Sequence, residues 1–135
     1  MSSIRYKNNS LFVEKISVKG LVSKFNSPFY LYSNNNIINN YNSFYLNFKK
    51  VQPLICFSVK ANSNIQILKV LKNIGSGADV VSGGELLKVL KSGIKPKKIV
   101  FSGVGKTEEE LKLAIRKKIL LINVESENEA LLINK

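Results

Sequence analysis

After Leu54, short β-rich runs alternate with amphipathic helical ones, and each helix is announced in the same way. A Ser or Thr is followed three residues later by Gln or Glu, at Ser63/Gln66, Ser82/Glu85, Thr107/Glu110 and Ser126/Glu129. In that spacing the hydroxyl and the longer side chain satisfy each other's backbone donors at a helix start. Strands are expected near residues 54–59, 79–82, 98–102 and 120–124, and helices near 64–74, 85–92 and 108–118. Gly75 and Gly93 stand where helix carboxyl caps belong. A repeat of roughly 20 to 25 residues of this kind demands a parallel sheet with helical crossovers. Four units make about half of a closed eightfold barrel, but an open doubly wound sheet has the same local period, and the period does not choose between them.

The first fifty residues differ. Ser10 to Val18 alternates like a strand, Leu21 to Phe25 suits a short helix, and Pro28-Phe29-Tyr30-Leu31-Tyr32 reads as a further strand. An Asn-rich stretch, Ser33 to Asn40, leads into an aromatic-bearing helix ending near Lys49.

The first strand of the repeat, Leu54-Ile55-Cys56-Phe57-Ser58-Val59, is apolar and delivers Lys60 to the carboxyl edge of the sheet, where α/β folds place their chemistry. An ammonium flanked by Val59, Ala61 and a following helix is expected to lose water, which favours the neutral, nucleophilic amine. Such a lysine forms Schiff bases with carbonyls, among them the aldehyde of pyridoxal phosphate. A lysine that snorkels from the strand end to solvent is the plain alternative.

Four segments carry a wider likeness: Phe57-Ser58-Val59-Lys60-Ala61-Asn62, Ala78-Asp79-Val80-Val81-Ser82-Gly83-Gly84-Glu85-Leu86, Ile99-Val100-Phe101-Ser102-Gly103-Val104-Gly105-Lys106-Thr107 and Asn123-Val124-Glu125-Ser126-Glu127. In order and spacing they make residues 54–130 resemble the start of the barrel domain of the alanine-racemase-like, fold-type III pyridoxal-phosphate decarboxylases, and within them the branch acting on meso-diaminopimelate. Ser58 stands where that family usually has alanine, a small-for-small change. The resemblance implies an α/β fold in which residues 51–135 are the amino-terminal half of a parallel (β/α)8 TIM-type barrel. Residues 1–50 would be a strand and helix segment whose strands join a β-rich second domain and lack sheet partners when alone.

The resemblance also implies pyridoxal 5'-phosphate as cofactor, Lys60 as its covalent anchor, and decarboxylation of meso-diaminopimelate to L-lysine by a homodimer. Decarboxylases of the same fold acting on ornithine, arginine or carboxynorspermidine, and a non-catalytic barrel that binds the cofactor at Lys60, are the alternatives. A whole barrel takes about 250 residues, so 135 residues read as the amino-terminal part of a longer protein, inactive alone. The family's phosphate site, ring-stacking histidine, acidic partner of the pyridine nitrogen and substrate-binding arginine and tyrosine are expected beyond Lys135.

Two acidic residues enter through the same likeness. An aspartate at the spacing of Asp79 faces the cofactor lysine in related decarboxylases, although a carboxylate at a strand start also suits a bond to backbone. Glu85 matches a position near the cofactor, reached through the partner stacked on its ring, while the Ser82/Glu85 box accounts for it without any cofactor. Gly83 and Gly84 allow close backbone approach at a helix start, a place suited to anions. Gly103-Val104-Gly105-Lys106-Thr107 invites a nucleotide reading, but a phosphate loop needs glycine five positions before Gly105, where Val100 stands. It reads instead as a βα loop ending in the Thr107 cap.

Composition narrows the rest. Twenty-one Lys+Arg against nine Asp+Glu give +12, a charge that alone would suggest nucleic acid. The lysines are scattered along helix faces, at 69, 72, 88, 91, 112, 117 and 118, and no aromatic-rich basic stripe interleaves them. A solvated basic surface without nucleic-acid binding is expected. The absence of histidine removes His-based metal sites and triads from these residues. A lone cysteine, Cys56, suits a reducing compartment. No apolar run approaches the roughly 18 residues of a membrane span, and Met1 to Gly20 lacks a signal-peptide core, so a cytoplasmic protein is expected.

Overall fold

The computed structural model describes residues 4–135. The chain divides into two compact units, Met1–Asn47 and Phe48–Lys135.

In the first unit β1 (Ile4–Lys7), β2 (Ser10–Val13) and β3 (Ile16–Ser17) form an antiparallel sheet in that order. Asn8 and Asn9 join β1 to β2 with φ of 49° and 57°, the left-handed pair that a two-residue hairpin requires and asparagine tolerates. The expected single strand from Ser10 to Val18 is broken at Glu14, φ 55°, where the chain reverses into β3 and then enters α1 (Val18–Val22). The strands therefore find partners in one another. Pro28 to Tyr32 forms no strand: Tyr30 is 90% exposed and stacks only on Tyr32, 6.4 Å between ring centres.

The Asn-rich stretch is itself helical, because α2 (Asn34–Phe48) begins inside it. Ile37, Ile38, Tyr41 and Tyr45 are the half-buried positions at helical spacing, and Tyr41 lies parallel to Tyr45 at 6.3 Å. Ser33 caps this helix, its Oγ accepting from the Asn36 amide at 3.1 Å, and Glu14 reinforces the start from a distance. Its Oε1 accepts from Ser33 Oγ at 2.5 Å and from the Asn35 amide at 3.0 Å, placing a carboxylate on the helix's orphan donors.

The second unit is a run of four βα steps: β4 (Cys56–Ser58), α3 (Ile65–Asn73), β5 (Gly77–Val80), α4 (Gly83–Ser92), β6 (Ile99–Phe101), α5 (Glu108–Arg116), β7 (Leu121–Ile122) and α6 (Glu127–Ile133). The strands are all parallel and lie in sequence order β4-β5-β6-β7. A doubly wound sheet reverses its order near the first strand and covers both faces with helices. Here the buried cluster joins Ala78, Val80, Ile99 and Phe101 to Leu68, Leu86, Val89 and Ala114 of α3 to α5, all on one face. That is half of a parallel (β/α)8 wall.

Local signals behave as expected with one shift. Ser82, Thr107 and Ser126 accept from the amides of Glu85, Glu110 and Glu129, and Gly75 and Gly93 close helices at φ of 90° and 91°. For α3 the cap is Asn64, not Ser63, since Ser63 Oγ is taken by Lys88 Nζ at 2.9 Å.

Gly77 marks the tightest packing in the wall. A Cβ there would stand 2.5 Å from the Lys98 carbonyl oxygen and 2.7 Å from Cys56 Sγ, and the first of these is backbone held beside β6. Gly77→Ala is expected to cost about 1–3 kcal/mol in denaturant unfolding, the range for overpacked interiors.

Candidate active site

Strand alternation gives the sheet two chemically different faces. While one face carries the apolar cluster beneath the helices, the register aligns Ser58, Asp79, Val100 and Leu121 on the other. This polar-bearing face and the carboxyl ends of the strands frame the site. Asp79 is the third of the four residues of β5, nearer the carboxyl end than the start expected from the sequence.

Lys60 lies in a 3-10 turn, Val59–Ala61, directly after β4. Val59 is fully buried and anchors the turn against the core, while Lys60 itself is exposed. The desolvation expected around it is therefore not provided by these residues, because β4 is half-buried and the turn swings the side chain outward. Among the described residues nothing bonds its ammonium.

Asp79 belongs to a polar chain that crosses three strands. Ser102 Oγ, just past β6, donates to Asp79 Oδ1 at 2.6 Å, and Asn123 Nδ2, just past β7, donates to Ser102 Oγ at 2.9 Å. Sequence reading missed Ser102 and Asn123 as partners of Asp79; the usable signal was the alternation from Val100, level with Asp79, to Ser102 on the same face. Glu85 is not brought to this chain. Its Oε2 accepts from the Val81 amide at 2.9 Å while its own amide bonds Ser82 Oγ, so its carboxylate closes the turn before α4.

Cys56 shares the Asp79 face and is half-buried. Burial pushes its thiol above the ordinary value, the Asp79 charge adds to this, and Lys98 opposes it. A thiol held protonated is a weak nucleophile.

Lys106 is the second lysine at the strand ends, and it is fully committed. Its side chain is 1% exposed, and its ammonium donates to the carbonyls of Gly103 (2.6 Å) and Asn123 (2.7 Å) and pairs with Glu129 Oε1 at 2.7 Å. With two of its protons given to carbonyls and its charge paired with Glu129, the Lys106 ammonium is not available to hold a phosphate in the Gly-Val-Gly-Lys-Thr loop. The Glu129 carboxyl is held below the ordinary range chiefly by the Lys106 hydrogen bond, with burial opposing and the Glu125 amide assisting. Glu110 is lowered likewise, by the amides of Thr107 and Gly83, and its 2.6 Å bond to Gly83 ties α5 to the start of α4. The loops at this edge are thus fixed to one another by carboxylates.

Comparison with known proteins places this arrangement. Residues 34–135 match the family model described as pyridoxal-dependent decarboxylase, pyridoxal binding domain. The chain is 44% identical over 134 residues to the diaminopimelate decarboxylase of Aquifex aeolicus, an alignment covering 98% of this chain and 31% of that protein. Against the diaminopimelate decarboxylase of Helicobacter pylori it is 50% identical over 106 residues, 78% of this chain and 26% of the other. It superposes on the solved diaminopimelate decarboxylase of M. jannaschii in complex with L-lysine with a TM-score of 0.94 and 36% identity, over 99% of this chain and 33% of that one. The chain spans about a third or less of the length of these relatives. With four parallel βα units in sequence order and the family match running through all of them, the chain belongs to the pyridoxal-dependent decarboxylases, as the amino-terminal half of their pyridoxal-binding barrel.

Proposed function

We propose that these residues are the amino-terminal part of a pyridoxal-phosphate-dependent decarboxylase that converts meso-diaminopimelate to L-lysine and carbon dioxide. The observation that carries the reading is the place of Lys60, directly past β4 at the carboxyl edge of the parallel sheet, within Phe-Ser-Val-Lys-Ala-Asn and inside the region matched by the pyridoxal-binding family model. Its counterpart Lys106 is consumed by structure. The residues thus fit a cofactor carrying an aldehyde, and Lys60 Nζ would hold it.

When bound, pyridoxal phosphate supplies an electron sink for the pair left as carbon dioxide departs. The chain's own contribution is orientation and charge. Asp79 offers a fixed carboxylate on the sheet face, suited to an ammonium of Lys60 or of an amino-acid substrate. Glu85 acts one step removed, by holding the turn at Val81 that borders the site. A cytoplasmic homodimer fits the same reading.

Substrate choice rests on the diaminopimelate decarboxylases at 44% and 50% identity. The test is carbon dioxide release by the full-length polypeptide carrying this segment, with meso-diaminopimelate, L-ornithine and L-arginine compared at equal concentration. Diaminopimelate is expected to exceed the others by about 100-fold or more in kcat/KM, since unpaired buried polar groups penalise the wrong substrate heavily. Turnover of ornithine or arginine without turnover of diaminopimelate would overturn the assignment, and cofactor binding without any carbon dioxide would make this a non-catalytic barrel.

A further inference from the structure

We propose that Ser102 and Asn123 are positioning residues that hold the Asp79 carboxylate in one orientation through a hydrogen-bond relay of fixed polarity. The inference rests on the assignment of Lys60 as cofactor lysine and extends it to two residues that do not bond to Lys60.

The direction of the relay follows from the donor inventory. An ionised carboxylate only accepts, so the 2.6 Å bond to Asp79 Oδ1 must carry the Ser102 hydroxyl proton. Having spent its one proton, Ser102 Oγ can only accept over the 2.9 Å to Asn123, which obliges residue 123 to be a donor there. Asparagine meets that demand through Nδ2 and aspartate cannot.

Residue 123 is moreover anchored at both backbone groups. Its amide donates to the Phe101 carbonyl at 2.8 Å and its carbonyl accepts from the buried Lys106 ammonium at 2.7 Å. A side chain on so constrained a backbone transmits its position to Ser102 and thence to Asp79. Oδ2 of Asp79 takes no bond from the described residues and stays open for a cation on the same sheet face.

The charged and titratable groups around the relay are Lys60 after β4, Cys56 on β4, Lys98 before β6, Glu125, whose Oε1 accepts from the Gly103 amide at 3.1 Å, and Lys106 on the Asn123 carbonyl. All of them are present in every variant compared below.

The test uses the full-length polypeptide, with pyridoxal phosphate as the probe and its dissociation constant read from the visible absorbance of the bound form. Ser102→Ala is expected to weaken retention of the cofactor by roughly 10-fold, the scale of one charge-assisted hydrogen bond. Ser102→Thr keeps the hydroxyl and should stay within about threefold of the parent. Asn123→Asp sets two carboxylates against one hydroxyl proton, so it should bind worse than Asn123→Ala at pH 8, with the gap closing toward pH 5 as the pair takes up a proton.

Three results would overturn the relay: Ser102→Ala retaining parental affinity, Ser102→Thr failing as badly as Ser102→Ala, or Asn123→Asp following Asn123→Ala at every pH. A loss of melting temperature in Ser102→Ala with unchanged cofactor affinity counts with the first of these, as a merely structural role. Borohydride reduction of the parent separates this failure from that of the functional reading. No label on Lys60 refutes the assignment of the lysine, whereas a label on Lys60 with unresponsive variants refutes the relay alone.

Discussion

Replacing Lys60 by alanine in the full-length polypeptide is expected to lower carbon dioxide release by roughly 10⁴-fold or more, the scale on which removal of a residue central to the chemistry is read. The same change should leave the denaturation midpoint almost where it was. Lys60 bonds to none of the described residues, so its loss breaks no contact among them, and substitutions that break no buried contact shift stability by no more than about 0.5 kcal/mol. A large loss of activity without a loss of stability is the signature of a side chain kept for chemistry.

Lys106 is expected to show the reverse. Lys106→Met strips the donor from two carbonyls and a carboxylate at once, whereas Glu129→Gln removes one charge and leaves an acceptor in place. Breaking a deeply buried pair costs about 3–5 kcal/mol. The Glu129 side chain keeps 9% of its surface exposed where that of Lys106 keeps 1%, so roughly 2 kcal/mol, below the range for a deeply buried pair, is expected for Lys106→Met, and less for Glu129→Gln. Unfolding in denaturant measures both.

The pH dependence of this contribution has a definite sign. The folded Glu129 carboxyl lies below its ordinary value, so the folded state binds fewer protons than the unfolded one in that window. The contribution is complete above the unfolded value of about 4.3 and is lost as pH falls through the folded value. Glu110, lowered by the Thr107 and Gly83 amides, acts in the same direction. The parent should therefore lose stability on acidification more steeply than Glu129→Gln, and equal slopes would contradict the assignment of the pair.

The two lysines also show what a sequence reveals and what it withholds. Both follow a strand, and both lie in motifs that invite chemistry. The helix-start pattern was legible because it is local: hydroxyl and carboxylate three residues apart recur at Ser82, Thr107 and Ser126 and act there as caps. Whether Lys106 is free depends on Glu129, a full βα unit later, and on where the Asn123 carbonyl falls. Closed and open α/β folds likewise share a local period, and only the pairing of β4 with β5, β6 and β7 in order separates them.

Long-range partners explain the misreadings near the amino terminus too. The Asn-rich stretch was expected to lead into a helix and instead begins it, with Ser33 as its cap and Glu14, about twenty residues earlier, bonded to the same turn. Pro28 to Tyr32 has the composition of a strand but pairs with no strand among the described residues. Lys60 was found through its strand and motif, while the half-burial of β4 is a property of the sheet rather than of the run Leu54 to Val59.

The most direct measurement is borohydride reduction of the pyridoxal-phosphate-loaded, full-length polypeptide, followed by peptide mapping. A pyridoxyl group on Lys60 and an unmodified Lys106 are expected. A stable label on another lysine, with Lys60 unmodified, would contradict the assignment of the site.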